Sequence, residues 1–179
     1  PAEFTLRVQE SLPELNLNQA YPYRNVVEIQ NTVSEDTMEN ALAVNKSKDK
    51  DKRNVNIIGE IGNATQTLYF IQPITTGTAL FSIGTHHART TRELVRSLAN
   101  NLLELEVCKT QKEAVEMVAD AVNIDCHLIE VNGNRYIERI TEIIPNKDKG
   151  AEPETSCQGL FNQIHKKATK KVPEALSCS

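Results

Sequence analysis

Tryptophan does not occur in this sequence, and aromatic residues of all kinds make up 4% of it. A core must therefore be built from aliphatic side chains. No apolar run approaches the roughly 20 residues that a helix needs to cross a bilayer, and no signal-peptide pattern follows Pro1. The four cysteines, Cys108, Cys126, Cys157 and Cys178, are scattered and lack CxxC spacing. They read as reduced thiols rather than as a disulfide framework or a zinc site, which makes the cytoplasm the expected compartment. A formal net charge of -4 gives no electrostatic reason to expect nucleic acid as a direct ligand. No internal repeat is present.

What is present fits an ordinary globular domain: 179 residues, 39% hydrophobic and 25% charged. Phe4–Val8 and Asn25–Ile29 read as short strands, separated by an irregular stretch broken by Pro13 and Pro22. Helical spacing begins at Ser34, and the mixed-charge run Lys46–Arg53 reads as a solvated loop. Val55–Glu60 is a compact apolar strand ending in an acid. Asn63–Gln72 reads as a helix whose exit is punctuated by Pro73 and Gly77, and Ala79–Gly84 as another buried strand.

Two stronger helices follow. Thr90 and Glu93 have capping-box spacing before a stripe of Leu94, Leu98, Leu102 and Leu105. Thr110 and Glu113 repeat the box before Ala114, Val115, Val118, Ala121 and Val122. Asp125–Val131 and Arg135–Ile144 flank Asn132-Gly133-Asn134, a strong hairpin signal because both Asn and Gly tolerate positive φ. Residues 146–179 read as a polar linker and a short basic C-terminal helix. Strands alternating with helices predict an α/β fold with a central sheet.

Ligands of such sheets sit beyond the carboxyl ends of the strands, so the residues at those ends matter most. Three ends stand out: Gln9-Glu10-Ser11, Gly59-Glu60 and Thr85-His86-His87. Any one charged residue at a strand end is explained by its reaching solvent. Two acids and a histidine at neighbouring ends could surround a bound phosphate, its metal and an attacking water. His86 and His87 are a poor metal pair, because adjacent strand residues point to opposite faces. His127 and His165 read as structural or surface residues.

The order and spacing of these segments resemble the motor ATPases of type II and type IV secretion, most closely their Tad (CpaF-like) pilus and conjugation branch. Val55–Ile61, VNIIGEI, looks like that family's Walker B strand with its Gly-Glu end. RVQESLPELNL, Arg7–Leu17, resembles the acidic Asp box, with Gln9 where an acid is usual. TTGTALFSIGTHHA, Thr75–Ala88, resembles the His box, with His87 the better match to its histidine. GNRYIERITEIIP, Gly133–Pro145, resembles the hairpin and Ile-Thr-Glu strand near the family's C-terminus. The resemblance covers Arg7 to Pro145.

It implies that residues 1–145 are part of a RecA-like P-loop ATPase core, a central sheet flanked by helices with a C-terminal β-hairpin and a terminal helix. It further implies ATP and Mg²⁺ as cofactors, a homo-hexamer, an inner-membrane platform protein as partner, and a cytoplasmic place at the inner face of the membrane. On that model Glu60 polarises the attacking water and Glu10 helps hold the water or, through a bound water, the Mg²⁺. Gly59, Thr85, His87 and Arg24 contribute to nucleotide binding, with His87 sensing the γ-phosphate. Phosphoryl transfer is mostly positioning and charge neutralisation, which suits such residues.

Two departures bear on activity. No GxxxxGK[ST] occurs in the sequence, so nothing here supplies the amide nest and lysine for phosphates. Its absence fits an excerpted chain that begins after that loop, and it also fits a degenerate paralogue. Family arginines near the Walker B strand are replaced by Ala43, Val44, Asn45 and Gly62. Three readings stand: the C-terminal portion of a hexameric motor, a non-catalytic assembly subunit that keeps the fold, and an unrelated α/β domain binding a small anion.

Overall fold

Four apolar segments that each rise in extended form line up side by side, all running the same way. β1 (Thr5–Glu10) pairs with β2 (Asn25–Gln30) on one side and β3 (Asn54–Ile58) on the other, and β3 pairs with β4 (Phe81–Gly84). The order is β2-β1-β3-β4. The structure, a computed structural model, describes residues 4–30 and 54–145. The helix expected from Ser34, the loop at Lys46–Arg53 and the C-terminal segment after 145 lie outside them.

Register determines which side chains share a face. Arg7 stands beside Asn56, Gln9 beside Ile58, Asn56 beside Ser82 and Ile58 beside Gly84. That face is covered by α2 (Ala64–Thr75), as the bond from Asn56 Nδ2 to Tyr69 O shows, at 2.9 Å. A short helix, α1 (Leu17–Ala20), precedes β2. α3 (Thr91–Glu104) and α4 (Gln111–Ala121) pack on α2 and on each other. Ile58, Ile61, Phe70, Ile71, Val95, Leu98 and Val118 belong to one core, as does Ile143 after the hairpin. Burying such side chains is worth about 1.5–3 kcal/mol each. The core is mainly aliphatic, as the scarcity of aromatics requires, with Tyr69 and Phe70 its aromatic members.

Two local expectations are corrected. α2 does not stop before Pro73 but runs through it to Thr75. Proline cannot donate to the carbonyl four residues back, which is that of Tyr69, and Asn56 supplies the missing donor from the sheet. Gly77, with φ of +69°, then closes the helix exit as only glycine does without strain. On α3 the buried stripe is Val95, Leu98, Ala99 and Leu102, with Leu94 and Leu105 at its margin. The stripe on α4 is buried as expected.

The two capping boxes also differ. Thr110 and Glu113 bond reciprocally. Thr90 accepts from the Glu93 amide at 3.1 Å, but the Glu93 carboxylate reaches the Arg89 amide instead of that of Thr90. β5 (Ile124–Val131) and β6 (Asn134–Glu142) form the antiparallel hairpin, with positive φ at Asn132 and Gly133 as the turn requires. Asp125 accepts from the Thr91 hydroxyl at 2.6 Å, and Arg139 donates to the Arg89 carbonyl at 2.9 Å, tying the hairpin to the start of α3. The fold is thus mixed α/β: a parallel sheet flanked by helices, followed by an antiparallel hairpin.

Candidate functional site

Parallel pairing brings the carboxyl ends of β1, β3 and β4 to one edge of the sheet. Glu10 closes β1, Gly59-Glu60 leaves β3, and Thr85-His86-His87 leaves β4. Glu60 Oε1 and His87 Nε2 lie 3.5 Å apart, both side chains open to solvent. The alternation expected of adjacent residues separates the two histidines. His87 meets Glu60, while Nδ1 of His86 turns to the carbonyl of Ile61 at 2.5 Å.

Glu10 is placed differently from Glu60. It is buried, and its Oε1 accepts from the amides of Leu15 at 3.0 Å and Glu14 at 3.3 Å. These bonds fold the segment after β1 back onto the strand end. Glu10 also lies against Gly59, where an added Cβ would stand 3.0 Å from its Cγ. Gly59 is thus a close-approach glycine. Its amide donates to Gln9 O at 2.9 Å.

Thr85 holds the exit of β3 from the other side. Its hydroxyl donates to Gly59 O at 2.5 Å, and its carbonyl accepts from the Ile61 amide at 2.8 Å. The start of α2 adjoins the same turn. Asn63 caps the helix by accepting from the Gln66 amide at 2.9 Å, and Gln66 Oε1 accepts from the Gly62 amide at 2.7 Å. Gln66 Nε2 reaches the Ser11 hydroxyl at 3.5 Å.

Arg24 does not join this group. It precedes β2, so it stands at the amino edge of the sheet, a full strand length of roughly 20 Å from the carboxyl edge. Glu10, Gly59, Glu60, Thr85 and His87 are the sequence-derived residues that the structure brings together. Gln66 is a neighbour that sequence reasoning passed over, and His86, singled out with its strand end, was given no role of its own. For His86 the signal was available: if one of two adjacent residues faces the open edge, the other must turn inward.

Among the described residues, no group of three or more histidines, cysteines, aspartates or glutamates is arranged to hold a metal ion. Magnesium commonly takes one or two carboxylates and completes its shell with waters and phosphates. The exposed Glu60 carboxylate fits that limited role. The Glu10 oxygen that bonds two backbone amides is less suited to it.

No family model matches the sequence, and no curated protein does. Solved structures do match in shape. One is the VirB11 ATPase from the Brucella suis type IV secretion system in complex with sulphate, with TM-score 0.63 and 18% identity. The match covers 79% of this chain and 41% of that one. Another is the Legionella pneumophila ATPase DotB, with TM-score 0.51 and 16% identity, covering 80% of this chain and 37% of that one. At these identities the likeness is one of fold. The chain spans less than half the length of either.

Proposed function

We propose that this chain is the C-terminal portion of an ATP-hydrolysing motor of the secretion ATPase type. The observation that carries the reading is the Glu60–His87 pair, 3.5 Å apart at the carboxyl ends of adjacent parallel strands. The fold shared with two secretion ATPases supports it. Bound ATP and Mg²⁺ would supply the phosphoryl group and neutralise its charge. Glu60 would orient and polarise the attacking water, and would hold a metal-bound water where one is present. His87 would meet the γ-phosphate through the ring nitrogen that now faces Glu60. Thr85 and Gly59 shape the backbone beneath them. Glu10 acts on the loop after β1, and Arg24 has no place in the site of its own subunit.

In finer detail the proposal is a homo-hexamer that works at the inner face of the cell membrane against a platform protein. The machine would be one of pilus assembly, secretion or conjugation. Among the described residues no helix is long and apolar enough to cross a membrane. A second reading, a non-catalytic subunit that keeps the fold, is favoured by Gly62, which stands where the resembled family carries an arginine.

The test is ATP turnover by the polypeptide as its gene encodes it, beside Glu60→Gln. Loss of a residue that manages the attacking water costs on the order of a hundredfold or more in rate. Turnover that falls this far supports the motor. A folded wild type that hydrolyses nothing supports the non-catalytic subunit.

A further inference from the structure

The turn that carries Glu60 is gripped on both sides, and the grip comes from residues whose own side chains need not touch a nucleotide. On the β4 side, Thr85 bonds twice: its hydroxyl to Gly59 O at 2.5 Å and its carbonyl to the Ile61 amide at 2.8 Å. The next peptide, between Ile61 and Gly62, is held at both polar ends. Its oxygen meets His86 Nδ1 at 2.5 Å, and its N–H donates to Gln66 Oε1 at 2.7 Å.

A carbonyl oxygen has no proton to give, so this contact requires Nδ1 of His86 to carry one. Ile61 itself is buried in the core, so the turn is anchored below as well. Because Thr85, His86 and His87 are consecutive, the residues that clamp the turn and the one that meets Glu60 belong to one short strap.

We infer that His86 is a positioning residue that fixes the Gly59–Gly62 turn and so sets where Glu60 stands relative to His87. This rests on the proposed role of Glu60. The strap makes the two strand ends a single unit, so that a displacement at His87 is passed to Glu60 through Thr85 and His86.

The experiment measures amide hydrogen exchange by NMR on the 179-residue chain, comparing wild type, His86→Phe and His86→Asn. Phenylalanine keeps a ring but has no donor, whereas the Asn side-chain amide places an N–H near the position of Nδ1. Losing one hydrogen bond should speed exchange of the Ile61 and Gly62 amides by about three- to tenfold in His86→Phe. The Leu98 amide, within α3, is the reference, and His86→Asn should restore the wild-type rates. Unchanged rates at Ile61 and Gly62 in His86→Phe would overturn the inference.

Should His86→Phe not fold, the wild type decides alone. A long-range nitrogen–proton spectrum must show a protonated Nδ1 on His86, and a bare Nδ1 refutes the clamp. The link to Glu60 is read in turnover by the polypeptide as its gene encodes it. His86→Phe should lower kcat with KM for ATP held within about twofold, and His86→Asn should recover it. An unchanged kcat in His86→Phe breaks that link. If Glu60→Gln hydrolyses as well as wild type, it is the motor reading that fails, while the exchange data still judge the clamp.

Discussion

Asn56 donates its side-chain amide to the carbonyl of Tyr69, at 2.9 Å, from the sheet into the middle of a helix. That carbonyl is the one whose ordinary partner would be the amide of Pro73, which does not exist. The same Asn56 nitrogen lies 3.2 Å from the Ser82 hydroxyl on β4. One buried side chain therefore joins β3, β4 and the helix above them, and it allows α2 to continue past proline.

Asn56→Ala should cost about 1–3 kcal/mol, since it strips a buried carbonyl of its donor. Pro73→Ala would give Tyr69 an amide partner within the helix. The two changes should therefore couple, with the cost of Asn56→Ala smaller by about 1 kcal/mol in the Pro73→Ala background. Urea denaturation of the four proteins measures this. Strictly additive effects would mean that Asn56 is held for the Ser82 contact alone.

The same pair shows where sequence reading succeeds and stops. Strand order was not legible, but strand ends were: Glu10, Gly59, Glu60, Thr85 and His87 could be singled out because a parallel sheet collects its carboxyl ends on one edge. Pro73 reads as a helix stop because its rescuing donor, Asn56, lies outside the helix, on β3. Leu94 and Leu105 read as core because leucine spacing alone does not fix the rotation of a helix about its axis, and the structure centres the stripe on Val95 and Leu98. The resemblance implies nucleotide binding for Arg24, but β2 pairs parallel to β1, which puts Arg24 at the opposite edge of the sheet, an arrangement that strand patterns alone do not reveal.

Gly59 gives a second prediction. It has no need of positive φ, and its constraint is the neighbouring Glu10. A Cβ 3.0 Å from Glu10 Cγ and 3.4 Å from its Oε1 would push that carboxylate away from the Leu15 amide. Gly59→Ala should destabilise the fold by about 1 kcal/mol, the worth of the hydrogen bonds disturbed. In a Glu10→Ala background the same substitution should be nearly neutral. Equal costs in the two backgrounds, read from thermal unfolding, would show that the crowding is with backbone.

The cysteines make a third. Burial, and then the charge of Glu113, raise the Cys108 thiol above its ordinary value. Cys126 is exposed on β5. Alkylation proceeds through the thiolate, so a raised value lowers the reactive fraction at every pH below it. Peptide mapping after brief treatment with iodoacetamide at neutral pH should find Cys126 modified and Cys108 intact. The order should hold until denaturant is added. Equal modification in the native chain would contradict the packing of Cys108 beside Met117.

The last prediction concerns alkaline stability. Burial raises the Tyr69 hydroxyl above its ordinary value of 10.0. Below that value the phenol is neutral whether the chain is folded or not, and its contribution to stability is complete. Above it the unfolded chain releases the proton while the fold retains it, so stability falls until the folded value is passed. Absorbance titration should therefore show Tyr69 ionising together with the loss of circular dichroism. Tyr69→Phe should lose less stability than wild type between neutral pH and about pH 11, because phenylalanine has no proton to release. If wild type and Tyr69→Phe lose stability equally over that range, another buried group governs alkaline unfolding, and Tyr69 ionises within the intact fold.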